Sequence, residues 1–227
     1  MSPKLTIDII TLFPKMMEGF IQESILGRAI RHGVIEVNLV DLREWGEGPR
    51  KTVDDRPFGG GAGMIIKPEP LYEAILSLKM EATKVIYLSP EGKKFNSAIA
   101  QNFAQEHHLI LVSGHYEGID DRVRQTLIDE EISIGDYILT NGTLAATVFS
   151  DAVLRYVPGV LGEEKSLTQD SFNDSLLSFP QYTRPANFRG MNVPEVLLSG
   201  DHKAIEQWRE NQKIKRTHER RPDLINN

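Results

Sequence analysis

KVIYLSP, residues 84–90, and LILVSG, residues 109–114, are two nearly continuous apolar runs, and each is followed by a polar turn. Apolar runs without alternation are typical of strands buried on both faces, as in a parallel sheet covered by helices. Residues 70–78 and 97–106 have helical spacing and precede these two runs along the chain. This alternation of helices and strands predicts an α/β fold built on a mainly parallel sheet.

The flanking segments extend the same pattern. LTIDIITLF (5–13) and VIEVNLVDL (34–42) predict two further strands, and the spacing of residues 15–31 predicts one helix between them. Two more helices are predicted over residues 144–156 and 201–217.

The chain is expected to have two domains joined by a linker. Residues 1–160 carry the strand and helix pattern and form the main domain. Residues 161–177 are mostly polar and lack periodicity, which predicts a linker. Residues 178–227 then form a small helical C-terminal domain.

Composition limits the classes of function. The chain has 227 residues and a net charge of −6, which argues against a surface built for sequence-independent DNA binding. The absence of cysteine excludes disulfides, thiolate metal sites and a cysteine nucleophile, and fits a reducing compartment. No segment approaches the roughly 20 apolar residues of a membrane span, and the N-terminus lacks a signal-peptide pattern. We therefore expect a cytoplasmic protein with no membrane partner.

One region departs from the acidic average. Between Arg209 and Arg221 there are six basic residues and two acidic ones, a local balance of +4. By itself, such a run is typical of a solvated helix face.

The predicted strand ends carry the strongest signal for a ligand. Ligands of parallel sheets bind at the carboxyl ends of the strands. Residues 89–92, 114–120 and 133–142 follow three such strands, and each segment combines glycine with hydrogen-bonding or aromatic side chains. We predict that these three segments form one binding site.

A glycine-rich segment, DDRPFGGGAGM (54–64), raises a separate question. A Walker loop would continue with Lys-Ser or Lys-Thr, whereas Gly63 is followed by Met-Ile-Ile, and a dinucleotide fingerprint would need glycine in place of Met64. Both phosphate-binding motifs are excluded. A mobile lid, a loop that approaches a bulky partner and a purely structural turn remain open.

An ordered set of motifs covers nearly the whole chain. It comprises LFP (12–14), GRA (27–29), TVDDRPFGGGAGM (52–64), IYLSPEGKK (86–94), SGHYEGIDDRV (113–123), DEEISIGDYIL (129–139), RYVPGVLG (155–162), DSF (170–172), YTRP (182–185), VLLSGDH (196–202) and RRPDL (220–224). Each motif alone is weak evidence, but their order and coverage make the set specific. In these motifs the chain resembles the bacterial tRNA (guanine-N1)-methyltransferases, the TrmD family of the SPOUT superfamily.

This resemblance implies methylation of N1 of the guanine at position 37 of tRNA, next to the anticodon, which maintains the reading frame. It implies a deep trefoil knot in the main domain, S-adenosyl-L-methionine bound there, tRNA binding by the C-terminal domain, and a homodimer that shares each active site between subunits. Magnesium (Mg2+) is associated with the family, although no carboxylate cluster in the sequence identifies a site. The matching cofactor-binding residues are Tyr87, Leu88, Ser89, Pro90, Gly114, Tyr116, Glu117, Gly118, Ser133, Ile134, Gly135, Tyr137, Leu139 and Gly142.

The resemblance also assigns the catalytic pair. It places the general base at Asp170 and its partner arginine at Arg155. N1 of guanine carries a proton at neutral pH, so a base must remove that proton while a cation stabilises the charge that develops on O6. Without the resemblance, Asp170 is explained as a capping residue and Arg155 as a cation at a helix C-terminus.

Contacts with RNA follow from the same comparison. The glycine-rich segment is expected at the entrance of the site, where it admits a flipped-out guanine while Arg56 holds backbone or base edges. The basic run, together with Arg184, Arg189 and Trp208, is expected to contact the anticodon stem through phosphates.

The chain departs from the family pattern at four positions. Asn141 and Thr143 stand in a segment that usually reads Gly-Gly-Glu-Leu, Ala62 replaces a usual proline, and His115 often has arginine in its place. One alternative is therefore a catalytically silent tRNA-binding protein on the same scaffold, which would bind S-adenosylmethionine without turnover. A knotted methyltransferase of ribose or ribosomal RNA is a second alternative, although DSF and RRPDL favour the guanine-N1 group.

Overall fold

The computed structural model describes residues 3–162, 170–172 and 174–225. The chain divides into two compact units, Met1–Gly162 and Glu163–Asn227. Within the predicted linker, residues 163–169 and 173 lie outside the described residues. The proposed domain bounds at 160 and 178 therefore stay a prediction.

The first unit is built on a five-stranded sheet in which every neighbouring pair is parallel. The strand order is β2-β1-β6-β5-β7, which confirms the predicted α/β class with a mainly parallel sheet. The strands of the chain are β1 (Thr6–Thr11), β2 (Glu36–Asp41), β3 (Asp54–Asp55), β4 (Ile65–Ile66), β5 (Thr83–Lys94), β6 (His108–Ser113), β7 (Glu130–Ser133), β8 (Asn187–Phe188) and β9 (Met191–Asn192). The described helices are α1 (Glu18–Gln22), α2 (Ser24–Arg31), α3 (Pro68–Leu78), α4 (Ser97–Phe103), α5 (Asp121–Leu127), α6 (Thr143–Leu154) and α7 (His202–Arg220).

One face of the sheet packs against α2, α4 and α6. Ile86 of β5 points into this layer, and Phe149 of α6 fills its centre without any solvent exposure. The Phe149 ring centroid lies 5.0 Å from that of Phe95 and 5.2 Å from that of Phe103. These rings therefore join α6, α4 and the end of β5 in one apolar layer.

The opposite face packs against α3 and α5. Val85, next to Ile86 in β5, points into this second layer with Ile110 of β6. Leu71 of α3 and Val123 of α5 close it from outside. Successive side chains of a strand point to opposite faces, so burial on both faces explains why these strands are apolar without alternation.

The prediction of a single helix over residues 15–31 is wrong. The structure has a 3-10 turn at Pro14–Met16 and then α1 and α2, which are separated at Glu23 by an extended backbone with φ −105° and ψ 168°. Gly27 explains the break, because a Cβ there would lie 2.2 Å from the carbonyl oxygen of Gln22. The chain folds back so tightly at this point that packing overrides the helical spacing.

The predicted end of the strand at residue 90 is also wrong. β5 continues to Lys94, but its register against β7 shifts, so that Leu88 and Lys93 both pair with Ile132. Gly92 lies in the bulge between them, and a Cβ there would come within 2.4 Å of the β7 backbone. Residues 89–92 are therefore a bulge inside a strand, not a turn that ends it.

A row of polar side chains crosses the sheet, in which Asp8, His108 and Thr83 are buried and Asn38 is its exposed end. Asn38 Nδ2 of β2 donates to Asp8 Oδ1 of β1 at 2.8 Å, and Asp8 Oδ2 lies 2.9 Å from His108 Nε2 of β6. His108 Nδ1 lies 2.7 Å from Thr83 Oγ1 of β5. Four adjacent strands are thus joined by one hydrogen-bonded row, which fixes their order because a buried polar group needs its partner.

The second unit centres on α7, close to the predicted helix over 201–217. Asp201 caps its N-terminus by accepting hydrogen bonds from Lys203 N and Ala204 N. Thr217 is fully buried, and its hydroxyl accepts from Leu177 N at 2.9 Å. The contact with Thr217 holds the segment around Leu177 against the helix. No helix in the described part of the chain has the length and apolar character to cross a bilayer.

The row of polar side chains leads to a test of fold stability. We expect Asp8→Ala to lower the free energy of unfolding by about 2–4 kcal/mol, because Asn38 and His108 both lose a buried acceptor. Urea denaturation measures this change. Glu130→Ala, at an exposed carboxylate on β7, is the control and should change stability by less than about 0.5 kcal/mol. Equal effects of the two substitutions would contradict the structural role of the row.

Candidate active site

The three segments predicted to form a site line one cavity of about 300 Å³ in the first unit. Every residue that the family resemblance assigns to the cofactor lies in its wall. Six other wall residues were not assigned to the cofactor by the resemblance. Four of them, His115, Ile138, Thr140 and Asn141, lie within the predicted segments, whereas Ile132 and Ala145 lie outside them. The structure therefore brings the predicted cofactor residues together, and their role in binding stays a prediction.

Topology explains why the three segments meet. They follow or interrupt β6, β5 and β7, which are neighbours in the sheet and run in the same direction. Gly142 N donates to Gly114 O at 2.7 Å, and a Cβ on Gly142 would lie 2.8 Å from Gly114 N. The second and third segments thus touch backbone to backbone, which only glycine at position 142 permits.

Tyr87 forms the floor between the first and second segments. It is buried, and burial raises the pKa of its phenol. A Cβ on Gly114 would come within 3.0 Å of the Tyr87 ring, and a Cβ on Gly118 within 3.2 Å of its hydroxyl. The backbone of the second segment therefore lies directly against an aromatic face.

The rim of the cavity is aromatic and apolar. Tyr137 is 55% exposed, and its ring occupies the space that a Cβ on Gly135 would need, at 2.4 Å. Tyr116 and Ile138 add exposed apolar surface to the same rim. Glycine backbone groups inside and flat apolar side chains at the mouth suit a planar, hydrogen-bonding ligand.

His115 replaces an expected cation with a neutral side chain. Its ring centroid lies 4.1 Å from that of Tyr116 and 5.1 Å from that of Phe13. Burial lowers the pKa of His115 below its ordinary value of 6.5, and the nearby Arg43 cation lowers it further. The imidazole is therefore neutral at pH 7.

Thr143 occupies a buried cluster of hydroxyl groups at the start of α6. Its Oγ1 lies 2.9 Å from Thr11 Oγ1 of β1 and 3.3 Å from Ser113 Oγ of β6. Asn141 Oδ1 accepts a hydrogen bond from Thr143 N at 2.9 Å. The two departures from the family pattern are thus satisfied inside the protein, and they hold the third segment against the sheet.

Arg124 of α5 braces the bulge of β5. Its Nη2 donates to Glu91 Oε2 and its Nε donates to Glu131 Oε1 of β7, both at 2.5 Å. These two hydrogen bonds raise the pKa of Arg124, with Glu131 making the larger contribution. One guanidinium therefore links the first cofactor segment to the neighbouring strand.

The glycine-rich segment is anchored to the second cofactor segment. Ile66 N donates to Gly118 O and Glu117 N donates to Met64 O, each at 3.0 Å. Phe58 at its tip is fully exposed. Gly59, Gly60, Gly61 and Gly63 all have positive φ, so side chains there would strain the backbone. The segment thus leaves the cavity wall as a loop with an exposed aromatic tip.

The predicted catalytic residues lie in different units. Arg155 is the C-cap residue of α6 in the first unit, and it is half-buried. Asp170 is half-buried in the second unit. Both residues interact with other groups of the protein. Their catalytic pairing stays a prediction.

Comparison with known proteins gives the family. The sequence model described as tRNA (Guanine-1)-methyltransferase TrmD matches residues 5–227. The chain belongs to the TrmD family. This membership confirms the resemblance read from the motifs, and it places the parallel sheet within the SPOUT fold class.

Relatives in several bacteria match nearly the whole of this chain. A protein of Geobacillus kaustophilus named tRNA (guanine-N(1)-)-methyltransferase is 51% identical over 97% of this chain and 91% of its own length. A protein of the same name from Staphylococcus carnosus is 51% identical over 97% of this chain and 91% of its own length. Another, from Carboxydothermus hydrogenoformans, is 52% identical over 97% of this chain and 87% of its own length. These TrmD proteins cover both units of the chain.

A metal site has no support in the described part of this TrmD-family chain. None of the described residues form a group of three or more His, Asp or Glu that could hold a metal ion.

The environment of His115 leads to a test by NMR. In the folded protein the pKa of His115 lies below its ordinary value of 6.5. The neutral imidazole therefore favours the folded state above about pH 6.5, and this contribution to the free energy of unfolding is lost as pH falls through the folded pKa. We expect the His115 ring to titrate with a midpoint below 6.5, and Arg43→Ala to raise that midpoint. Arg50→Ala removes an exposed cation from the same passage and should leave the midpoint unchanged. A midpoint at or above 6.5 in the unmodified protein would contradict the assignment.

Proposed function

We propose that the protein methylates N1 of the guanine next to the anticodon of tRNA, with S-adenosylmethionine as the methyl donor. The observation that carries this proposal is the single cavity in which all the assigned cofactor residues meet. Family membership supports the reaction, because relatives about half identical over nearly the whole chain are named tRNA (guanine-N(1)-)-methyltransferases.

Two features of the cavity suit the cofactor, which are the exposed peptide groups of its wall and the aromatic side chains of its rim. A Cβ at Gly135 or Gly142 would collide with Tyr137 or with the Gly114 backbone, and one at Gly114 would crowd Tyr87. These positions therefore carry glycine, whose bare peptide groups in the cavity wall suit hydrogen bonds to a purine. Tyr116 and Tyr137 at the rim supply flat apolar surface. When bound, S-adenosylmethionine supplies an electrophilic methyl group on a sulfonium centre. The deep trefoil knot implied by the family belongs to this proposal.

Asp170 and Arg155 act on the guanine. The Asp170 carboxylate accepts the proton from N1, which frees the ring nitrogen lone pair for attack on the methyl carbon. The Arg155 guanidinium stabilises the negative charge that develops on O6.

A homodimer completes the proposed enzyme. Leu144 and Val148 lie one turn apart on α6 and are each about half exposed, next to the third cofactor segment. An apolar helix face of this kind is buried when it packs against a second copy. Such a dimer is the arrangement in which each active site is shared between subunits.

Two further parts of the proposal concern an assisting metal ion and the cellular location. Mg2+, which the resemblance associates with the family, belongs to the proposal as an assisting cation. We propose a cytoplasmic location, because the tRNA substrate is found in the cytoplasm.

A catalytically silent tRNA-binding protein is not favoured. Its support was the altered segment at 141 and 143, and both side chains are satisfied by internal hydrogen bonds that leave the cavity open. The named relatives are methyltransferases. Binding of S-adenosylmethionine to the folded protein without any methylated product would reverse this preference.

Methyl transfer from labelled S-adenosylmethionine to an unmodified tRNA with guanine 3′ of the anticodon tests the function. We expect N1-methylguanosine at that position by nucleoside mass spectrometry, and a loss of about 10²–10⁴-fold in rate for Asp170→Asn. Glu195→Gln, an exposed isosteric change in the same unit, should retain the rate. If Asp170→Asn stays within a few-fold of the unmodified protein, the proposed base is wrong.

Gly142→Ala tests the cofactor site separately. The added methyl group meets the backbone of Gly114 at 2.8 Å, so the second and third segments must move apart. We expect S-adenosylmethionine affinity, measured by calorimetry, to fall at least about tenfold. Gly19→Ala introduces the same methyl group into open space and should leave affinity unchanged. Unchanged affinity in Gly142→Ala would place the cofactor elsewhere.

A further inference from the structure

The second unit has a cavity of its own that no part of the proposed mechanism uses. Its volume is about 340 Å³, within the range of about 300–1,000 Å³ typical of small-molecule sites. It lies between α7, the preceding 3-10 turn at Glu195–Leu198 and the extended segment at residues 179–186. The wall residues that matter below are Phe179, Tyr182, Arg184, Trp208 and Arg209.

Two aromatic side chains of this cavity are available for stacking. The ring centroids of Tyr182 and Trp208 lie 6.4 Å apart, and the rings are inclined by 53°. They therefore do not stack face to face on each other. Tyr182 is 50% exposed, so a planar group can reach its ring from solvent.

The cations of the cavity favour an anionic ligand with hydrogen-bond acceptors. The Arg209 guanidinium lies over the ring of buried Phe179 at 4.8 Å, which holds it in the wall. Its Nη1 lies 3.8 Å from Oε2 of the exposed Glu206, whereas its Nε is buried and has no hydrogen-bond acceptor within the described part of the chain. Arg184 adds a second exposed cation, and Arg209 begins the basic run that continues along α7.

We propose that this cavity binds one unstacked base of the tRNA substrate, stacked on the exposed ring of Tyr182 beside Trp208, with Arg209 donating to the base or its phosphate. This inference rests on the proposed function, and it deepens that function by adding a base contact to the phosphate contacts expected of the C-terminal region. Aromatic side chains bind unpaired bases by stacking, while guanidinium groups bind their edges and phosphates. A protein partner would leave the basic character of this wall unexplained.

Trp208 can report on the cavity directly. The sequence has two tryptophans, Trp45 and Trp208, so Trp45→Phe leaves Trp208 as the single fluorophore. We expect unmodified tRNA to quench Trp208 emission with the same Kd that filter binding gives. If filter binding shows a complex and the emission does not change, the base contact is wrong. A change in emission with protein concentration in the absence of tRNA would mean that a second copy covers the cavity, which also overturns the proposal.

Matched variants separate stacking from phosphate contact. Tyr182→Ala should weaken tRNA binding about tenfold to a hundredfold without changing its salt dependence, because stacking releases no counterions. Tyr182→Phe keeps the ring and should retain affinity. Lys215→Ala, an exposed position in the basic run, should instead reduce the slope of log K against log salt concentration by about one. Equal affinities of Tyr182→Ala and the unmodified protein would overturn the inference.

These readouts do not depend on catalysis. If the unmodified protein binds tRNA but makes no N1-methylguanosine, the proposed function fails, while quenching and the Tyr182 variants still decide the base contact. If methylation occurs and Tyr182→Ala binds tRNA normally, only the base contact fails.

Discussion

The hydrogen bond from Gly142 N to Gly114 O is the contact on which the candidate active site depends. It joins the segment after β6 to the segment that leads into α6, and it leaves no room for a side chain at position 142. Thr143 follows immediately and anchors the same point to β1 and β6 through its hydroxyl neighbours. The cavity therefore keeps its shape because peptide groups of two loops are in direct contact, with a buried hydroxyl cluster beneath them.

The first wall of the cavity is held in a different way. It is a bulge within β5, and the shift in register against β7 pushes residues 89–92 out of the ladder. Arg124 then ties Glu91 in the bulge to Glu131 on the neighbouring strand. An ion pair with a half-buried arginine fixes a geometry more firmly than it adds stability, because much of its Coulomb energy offsets desolvation. Its contribution here is to position the loop.

Sequence alone predicted the parallel sheet, because burial on both faces produces continuous apolar runs. It also predicted that the glycine-containing strand ends form one site, because the ends of parallel strands meet at one edge of the sheet. It failed where the structure depends on distant neighbours. The break at Glu23 follows from the close approach of Gly27 to Gln22, and the bulge in β5 follows from its register with β7. The cavity around Tyr182 was missed for the same reason, since a helix and a separate extended segment form it. Trp208, immediately before the basic run, was the available signal.

Four glycines, Gly114, Gly118, Gly135 and Gly142, expose peptide groups in the wall of the candidate active site, and this has a consequence for inhibitors. A competing molecule that hydrogen-bonds to the peptide groups of these glycines meets the same donors and acceptors in every variant that still closes the cavity. Side-chain substitutions at the exposed rim, such as Ile138, can change its shape only at the mouth. Resistance through point mutation is therefore confined to the rim, because changes deeper in the wall dismantle the site that the enzyme itself needs.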